Sequence, residues 1–147
     1  MLEQFEHINL NNVDDSFHAV DAGVYTLEVN KLEPKYVKIT KADSPYAGQE
    51  VLVLKGSYTI VDDEKFSGRK LWQDFWTPYP IAQKFLKKQM QVTGVIQGPD
   101  ESLVDYAKQF ALLNPPARFV VPITQKPDRR DPETMVNEIA FFNAKPA

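Results

Sequence analysis

Apolar residues alternate with period two from Gly23 to Trp76, take up helical spacing between Ile81 and Ala111, and alternate again after Arg118. Strand side chains repeat every two residues and helix side chains about every 3.6, so the chain must build strands, then helices, then strands. In GVYTLEVNKL, Tyr25, Leu27 and Val29 share a face. Pro34 interrupts this run, and Tyr36–Thr40 reads either as its continuation beyond a bend or as a short edge strand. EVLVLKGSYTIVD is a long second strand, with Leu52, Leu54, Tyr58 and Ile60 of one parity and Gly56 placed where a barrel strand bulges or coils. RKLWQDFWT is the third strand.

Pro78 and Pro80 open an amphipathic helix, with Ile81, Phe85, Leu86 and Val92 set against Lys84, Lys87 and Lys88. Gly94 and Gly98-Pro99 end it, and Asp100 is the expected N-cap of a second helix whose stripe is Leu103, Ala107, Phe110 and Ala111. After Asn114-Pro115-Pro116, ARFVVPITQ and MVNEIAFFNA supply the last strands. The expected fold class is mainly β with a helical insertion at 80–113, in the order of a five-stranded OB-type β-barrel with helices between strands 3 and 4. A generic α+β sandwich predicts a similar string. Residues 1–147 read as one domain, with 1–22 an irregular lead-in whose Phe5, Ile8, Leu10 and Phe17 are available to the core.

The chain has no cysteine, which excludes disulfides, thiolate metal sites and cysteine nucleophiles. Its two histidines, His7 and His18, are too far apart for a helical metal pair, and no GxSxG, HExxH, Walker or GxGxxG pattern occurs. Acidic runs such as Asp14-Asp15, Asp62-Asp63-Glu64 and Asp128…Asp131 read as solvated turns. No enzymatic activity, cofactor or metal is expected; an enzyme with a carboxylate-held cation is the weakest alternative. MLEQFEHINL lacks a basic region and a long apolar run, so no signal peptide is expected, nor is any membrane contact; the expected location is cytoplasmic.

The net charge of −3 is unevenly spread: residues 1–22 hold five acids and no Lys or Arg, whereas 63–99 hold six bases and three acids. Local field governs polyanion binding, so the basic segment matters more than the total. Within it, alternation puts Leu71 and Phe75 on one face and Trp72 and Trp76 on the other. Aromatics on both faces exceed what one core requires. Single-stranded nucleic acid binds by stacking bases on aromatics while Lys and Arg follow the phosphates, and OB strands 2 and 3 form the usual face. Trp72, Trp76, Tyr36 and Tyr58 are the candidate stacking residues, and Lys35, Lys38, Lys55, Arg69 and Lys70 the candidate phosphate contacts. Packing of both tryptophans under the insertion or the lead-in is the competing reading. The lysine face of the first helix and Arg129-Arg130, flanked by Asp128 and Asp131, read as solvated surface.

Several short motifs span most of the chain: INLNNVDDSFHAVDAGVYTLEV with its Ala22-Gly23-Val24-Tyr25, then Ala47-Gly48, Gly68-Arg69 before the aromatic strand, and Asn137-Glu138-Ile139-Ala140-Phe141. In these the chain resembles a family of short phage proteins of unknown function, encoded among replication and recombination genes and regarded as OB-fold single-stranded DNA-binding proteins. It departs from that family at Asn114-Pro115-Pro116, where a Gly-containing approach to strand 4 is expected. The closing FFNAKPA is not the acidic tail of many bacterial single-stranded DNA-binding proteins. The resemblance implies a sequence-tolerant single-stranded DNA-binding protein acting in replication or recombination in the host cytoplasm, without assigning residues. RNA as a ligand, homo-oligomers and phage replication proteins as partners stay open. The alternative is a protein-interaction or assembly module, a recombination accessory or virion component, using the same aromatic face.

Overall fold

The computed structural model describes residues 18–147. His7 and the lead-in apolar residues Phe5, Ile8, Leu10 and Phe17 lie outside the described residues. The chain runs β1 (Gly23–Lys38), β2 (Glu50–Val61), β3 (Lys70–Trp76), α1 (Pro80–Thr93), α2 (Leu103–Gln109), β4 (Arg118–Pro127), β5 (Met135–Ile139) and β6 (Lys145–Pro146). Short 3-10 turns at Phe110–Leu112 and Phe141–Asn143 follow α2 and β5. The mainly β class and the helical insertion between β3 and β4 are therefore present.

Every strand pair is antiparallel, along the path β3-β2-β1-β4-β5 with β6 added against β4. The described residues thus give six strands rather than five, and the sheet is not closed into a barrel: no ladder joins β3 to β5. Each of these is two antiparallel steps from β1, so the two run in the same direction. They face one another across a cleft of about 200 Å3 between Lys70–Trp72 and Val136, Asn137 and Ile139. The last strand expected from sequence ends early, at Ile139, where the chain turns into the 3-10 segment that seats Phe141 in the core.

β1 is continuous through Pro34, which pairs with Leu54. It pairs with β4 only over Gly23–Glu28; from Lys31 to Lys38 its ladder is with β2, leaving the free edge that proline needs. The register shifts between Val29 and Lys31, so Asn30 is the extra residue of a bulge, and its side-chain amide donates to Thr59 Oγ1 at 2.7 Å. At Gly56, by contrast, the ladder to both neighbours is unbroken. Glycine is required there because the Tyr58 ring lies over the backbone: a Cβ would sit 2.8 Å from the ring.

Tyr58 joins the layers. Its ring is fully buried, edge-on to Phe119 at 6.0 Å and Phe141 at 6.2 Å. Its hydroxyl donates to Gln89 Oε1 of α1 at 2.5 Å. That bond explains why Gln89 is buried beside Ala82, Leu86 and Val92 on the inner face of α1. The helix is rotated from the stripe read in the sequence, leaving Ile81 half exposed. Gly94, at φ 72°, closes α1 through its N–H to the Met90 carbonyl, in a conformation that non-glycine residues rarely take. Ser102, not Asp100, caps α2 by accepting from the Asp105 N–H. Among the described residues no helix is long and apolar enough to cross a membrane.

Two measurements test this core. Tyr58→Phe leaves the Gln89 oxygen buried without a donor, and Gln89→Leu strands the hydroxyl, so urea unfolding is expected to show losses of about 1–3 kcal/mol for each. The double variant is expected to recover most of that, because neither orphan remains. Burial also pushes the Tyr58 hydroxyl well above its usual value. Burial, and next the Glu101 charge, push Tyr106 up to about 12. Folded-state values above the unfolded ~10 mean that stability is fully present below about pH 10 and lost as pH rises toward the folded values. Unfolding midpoints are expected to fall above about pH 10, and to fall less in Tyr106→Phe.

Candidate nucleic-acid interface

Residues directly paired in an antiparallel ladder present their side chains on the same face. The registers of β1, β2 and β3 therefore define rows across the outer side of the sheet. Lys31, Ser57 and Trp72 form one row; Glu33, Lys55 and Asp74 the next; Lys35, Val53 and Trp76 a third. Glu28, Thr59 and Lys70 border them. Both tryptophans thus lie on the outer face of β3, 64% and 36% exposed, while Leu71 and Phe75 fill the inside. At ~3.3 Å per residue the two indoles stand about 13 Å apart along the strand.

Each tryptophan has a lysine two strands away in its own row, Lys31 for Trp72 and Lys35 for Trp76. Lys31 was not among the sequence candidates; the parity of Tyr25, Leu27 and Val29, continued unbroken, would turn it inward. The bulge at Asn30 reverses that phase. The sequence did carry the signal: apolar positions move from odd (25, 27, 29) to even (32, 34) across Asn30.

The other candidates divide. Lys35, Lys55 and Lys70 share the tryptophan face and have no ion-pair partner among the described residues. Lys31 lies 3.6 Å from Glu33, and Glu28 is taken up by Arg118 at 3.0 Å. Tyr36 is 67% exposed, but by register it and Lys38 stand on the opposite side of the ribbon, with Leu52 and Glu50. Arg69 is half buried and donates to the His18 carbonyl at 2.5 Å, off the tryptophan face. Tyr58 must be removed from the stacking set: its ring is core, held there by Phe119, Phe141 and Gln89.

The end of the face at Trp76 is built by residues distant in sequence. Tyr46 of the β1–β2 loop meets Tyr79 of the β3–α1 turn edge-on at 5.5 Å, and Ser44 Oγ lies 3.0 Å from Tyr79 Oη. Val51, Val53 and Ile39 form a second small apolar cluster here, with Val37 and Tyr46 packed on it. A cleft of about 800 Å3 opens beside this cluster, with Lys38, Lys41, Asp74, Trp76, Tyr79 and Arg129 in its walls, so Lys38 lines the surroundings of Trp76 despite its opposite parity. Arg129, read from sequence as a solvated hairpin tip, therefore belongs to the surroundings of Trp76. Among the described residues no group of three His, Cys, Asp or Glu is placed to hold a metal ion.

These are the only two tryptophans in the chain, so fluorescence reads each directly. Trp76→Phe, which keeps Trp72, is expected to emit at longer wavelength and to be quenched more steeply by acrylamide than Trp72→Phe. Equal quenching would contradict the exposures given above. No family model matches this chain, and neither a curated protein nor a solved structure matches it.

Proposed function

We propose that the outer face of β1, β2 and β3 binds single-stranded nucleic acid, DNA in the first instance, with little dependence on sequence. The observation that carries this reading is the pair of exposed indoles on one side of β3, each in a row with a lysine. Every base has a π-face, so a tryptophan platform accepts any of them, while ammonium groups follow the backbone. The ~13 Å between the indoles far exceeds the ~3.4 Å rise of stacked bases, so bases on Trp72 and Trp76 would be splayed apart, as a single strand allows and a duplex does not. We read the sheet as an OB-type barrel left open at the β3–β5 seam, a fold whose five strands are often only partly closed and whose second and third strands form the binding face. The resemblance to phage replication and recombination proteins supports a role in those processes, in the cytoplasm of a host cell.

A second reading has its own support. The Glu33–Lys55–Asp74 row places two carboxylates between the tryptophan rows, which disfavours a polyanion and suits a protein partner with complementary charges. A salt titration separates the two. If four lysines neutralise phosphates, affinity for a mixed-sequence single strand is expected to fall about 50-fold between 50 and 200 mM salt. Trp72→Ala and Trp76→Ala are each expected to cost about 1–3 kcal/mol of binding. Unchanged fluorescence and no gel shift at low salt would rule out nucleic acid as the ligand.

A further inference from the structure

We propose that the cleft beside Trp76 is a nucleotide subsite that holds one base of the bound strand and selects bases carrying an exocyclic amine. This rests on the reading of the tryptophan face as a nucleic-acid interface and deepens it: the face tolerates any sequence along its length, but one position is read. At about 800 Å3 the cleft is within the ~300–1,000 Å3 range of small-molecule sites, ample for a nucleotide. Six separate segments converge on it: the end of β1, the β1–β2 loop, β3, the β3–α1 turn, α1 and the β4–β5 hairpin.

The lining matches the parts of a nucleotide. Trp76 offers a partly exposed ring for stacking. Tyr79 is pinned by Tyr46 and Ser44, so that wall is preorganised. Arg129 and Lys41 enter the same cleft with no ion-pair partner among the described residues, and they suit a phosphate. Lys38 adds a third cation, Thr40, Ser44 and Tyr79 offer hydroxyls that donate or accept, and Asp74 offers a carboxylate that only accepts. Asp74 shares the parity of both tryptophans and has no hydrogen bond to its carboxylate among the described residues, whereas Gln73 has the inward parity of Leu71 and Phe75. Cytosine, adenine and guanine each carry an exocyclic amine that donates to such a carboxylate from the rim of the base, whereas thymine carries none and has only its ring N3–H, flanked by two carbonyl oxygens that the carboxylate repels. The carboxylate that weakens the face as a phosphate track thus becomes a base-reading group, with Arg129 supplying the charge that a phosphate needs.

The test is a titration of intrinsic fluorescence with dCMP and with dTMP at low salt, run beside titrations with oligo(dC) and oligo(dT). Saturable quenching by dCMP is expected, with dTMP at least fivefold weaker. Arg129→Ala is expected to weaken dCMP at least fivefold with an unchanged far-ultraviolet circular dichroism spectrum. Asp74→Asn is expected to bring the dCMP-to-dTMP ratio close to one. Oligonucleotide binding without saturable mononucleotide binding would overturn the subsite and leave the interface reading intact. Mononucleotide binding without oligonucleotide binding would overturn the interface reading instead. Equal affinity for dCMP and dTMP would overturn the base selection, and failure of every ligand would overturn both proposals.

Discussion

The burial of one phenol organises the rest of this molecule. A tyrosine ring can enter a core only if its hydroxyl finds a partner there, and for Tyr58 that partner is Gln89, on the helix inserted between β3 and β4. The bond fixes which side of α1 meets the sheet, against the more apolar side that its composition would choose. The same ring forces glycine at position 56, where the ladders of β2 to β1 and β3 run unbroken. β2 is the middle strand of the tryptophan face, so its continuous register keeps the rows on either side of it in line.

The outer face then follows from registers rather than from any dedicated element. β3 is short, and its alternation gives each of its two aromatic pairs to a different side: Leu71 and Phe75 to the core, Trp72 and Trp76 to the surface. The lysines come from β1, two strands away. The tyrosine contacts between the β1–β2 loop and the β3–α1 turn add a stiff wall at one end. A surface made this way is as rigid as the sheet below it, which lowers the ordering cost of binding.

Much of the architecture was legible in the sequence because it rests on period. The five main strands, both helices and the shared face of the two tryptophans opposite Leu71 and Phe75 all follow from counting twos and three-to-fours, but counting left open whether that face is covered. What escaped did so for identifiable reasons. Tyr58 has the parity of Leu54 and Ile60, which already pointed inward; a bulge at Gly56 would have been needed to bring it beside Lys55, and the bulge lies instead on β1. Tyr36 and Lys38 look like natural companions of Lys35, but neighbours on a strand face opposite ways. Arg129 reaches Trp76 only through tertiary folding, and no local pattern announces it. The six-stranded count depends on a two-residue pairing at Lys145–Pro146, too short for periodicity to register.

The bulge at Asn30 divides β1 into two stretches under different constraints. Before it the odd positions, Tyr25, Leu27 and Val29, face the interior, where volume and apolarity decide what is tolerated. Residues after it, from Lys31 to Lys35, face outward on alternate positions, where charge can change at little cost to the core. The surface can therefore drift in composition without disturbing the core-facing positions of the strand. Chain length at this point has no such freedom. Loss of a single residue would swap the two phases, carrying Lys31, Glu33 and Lys35 beneath the sheet and Leu32 into solvent. The quantity least open to variation on this surface is thus a count of residues, not the identity of any side chain on it.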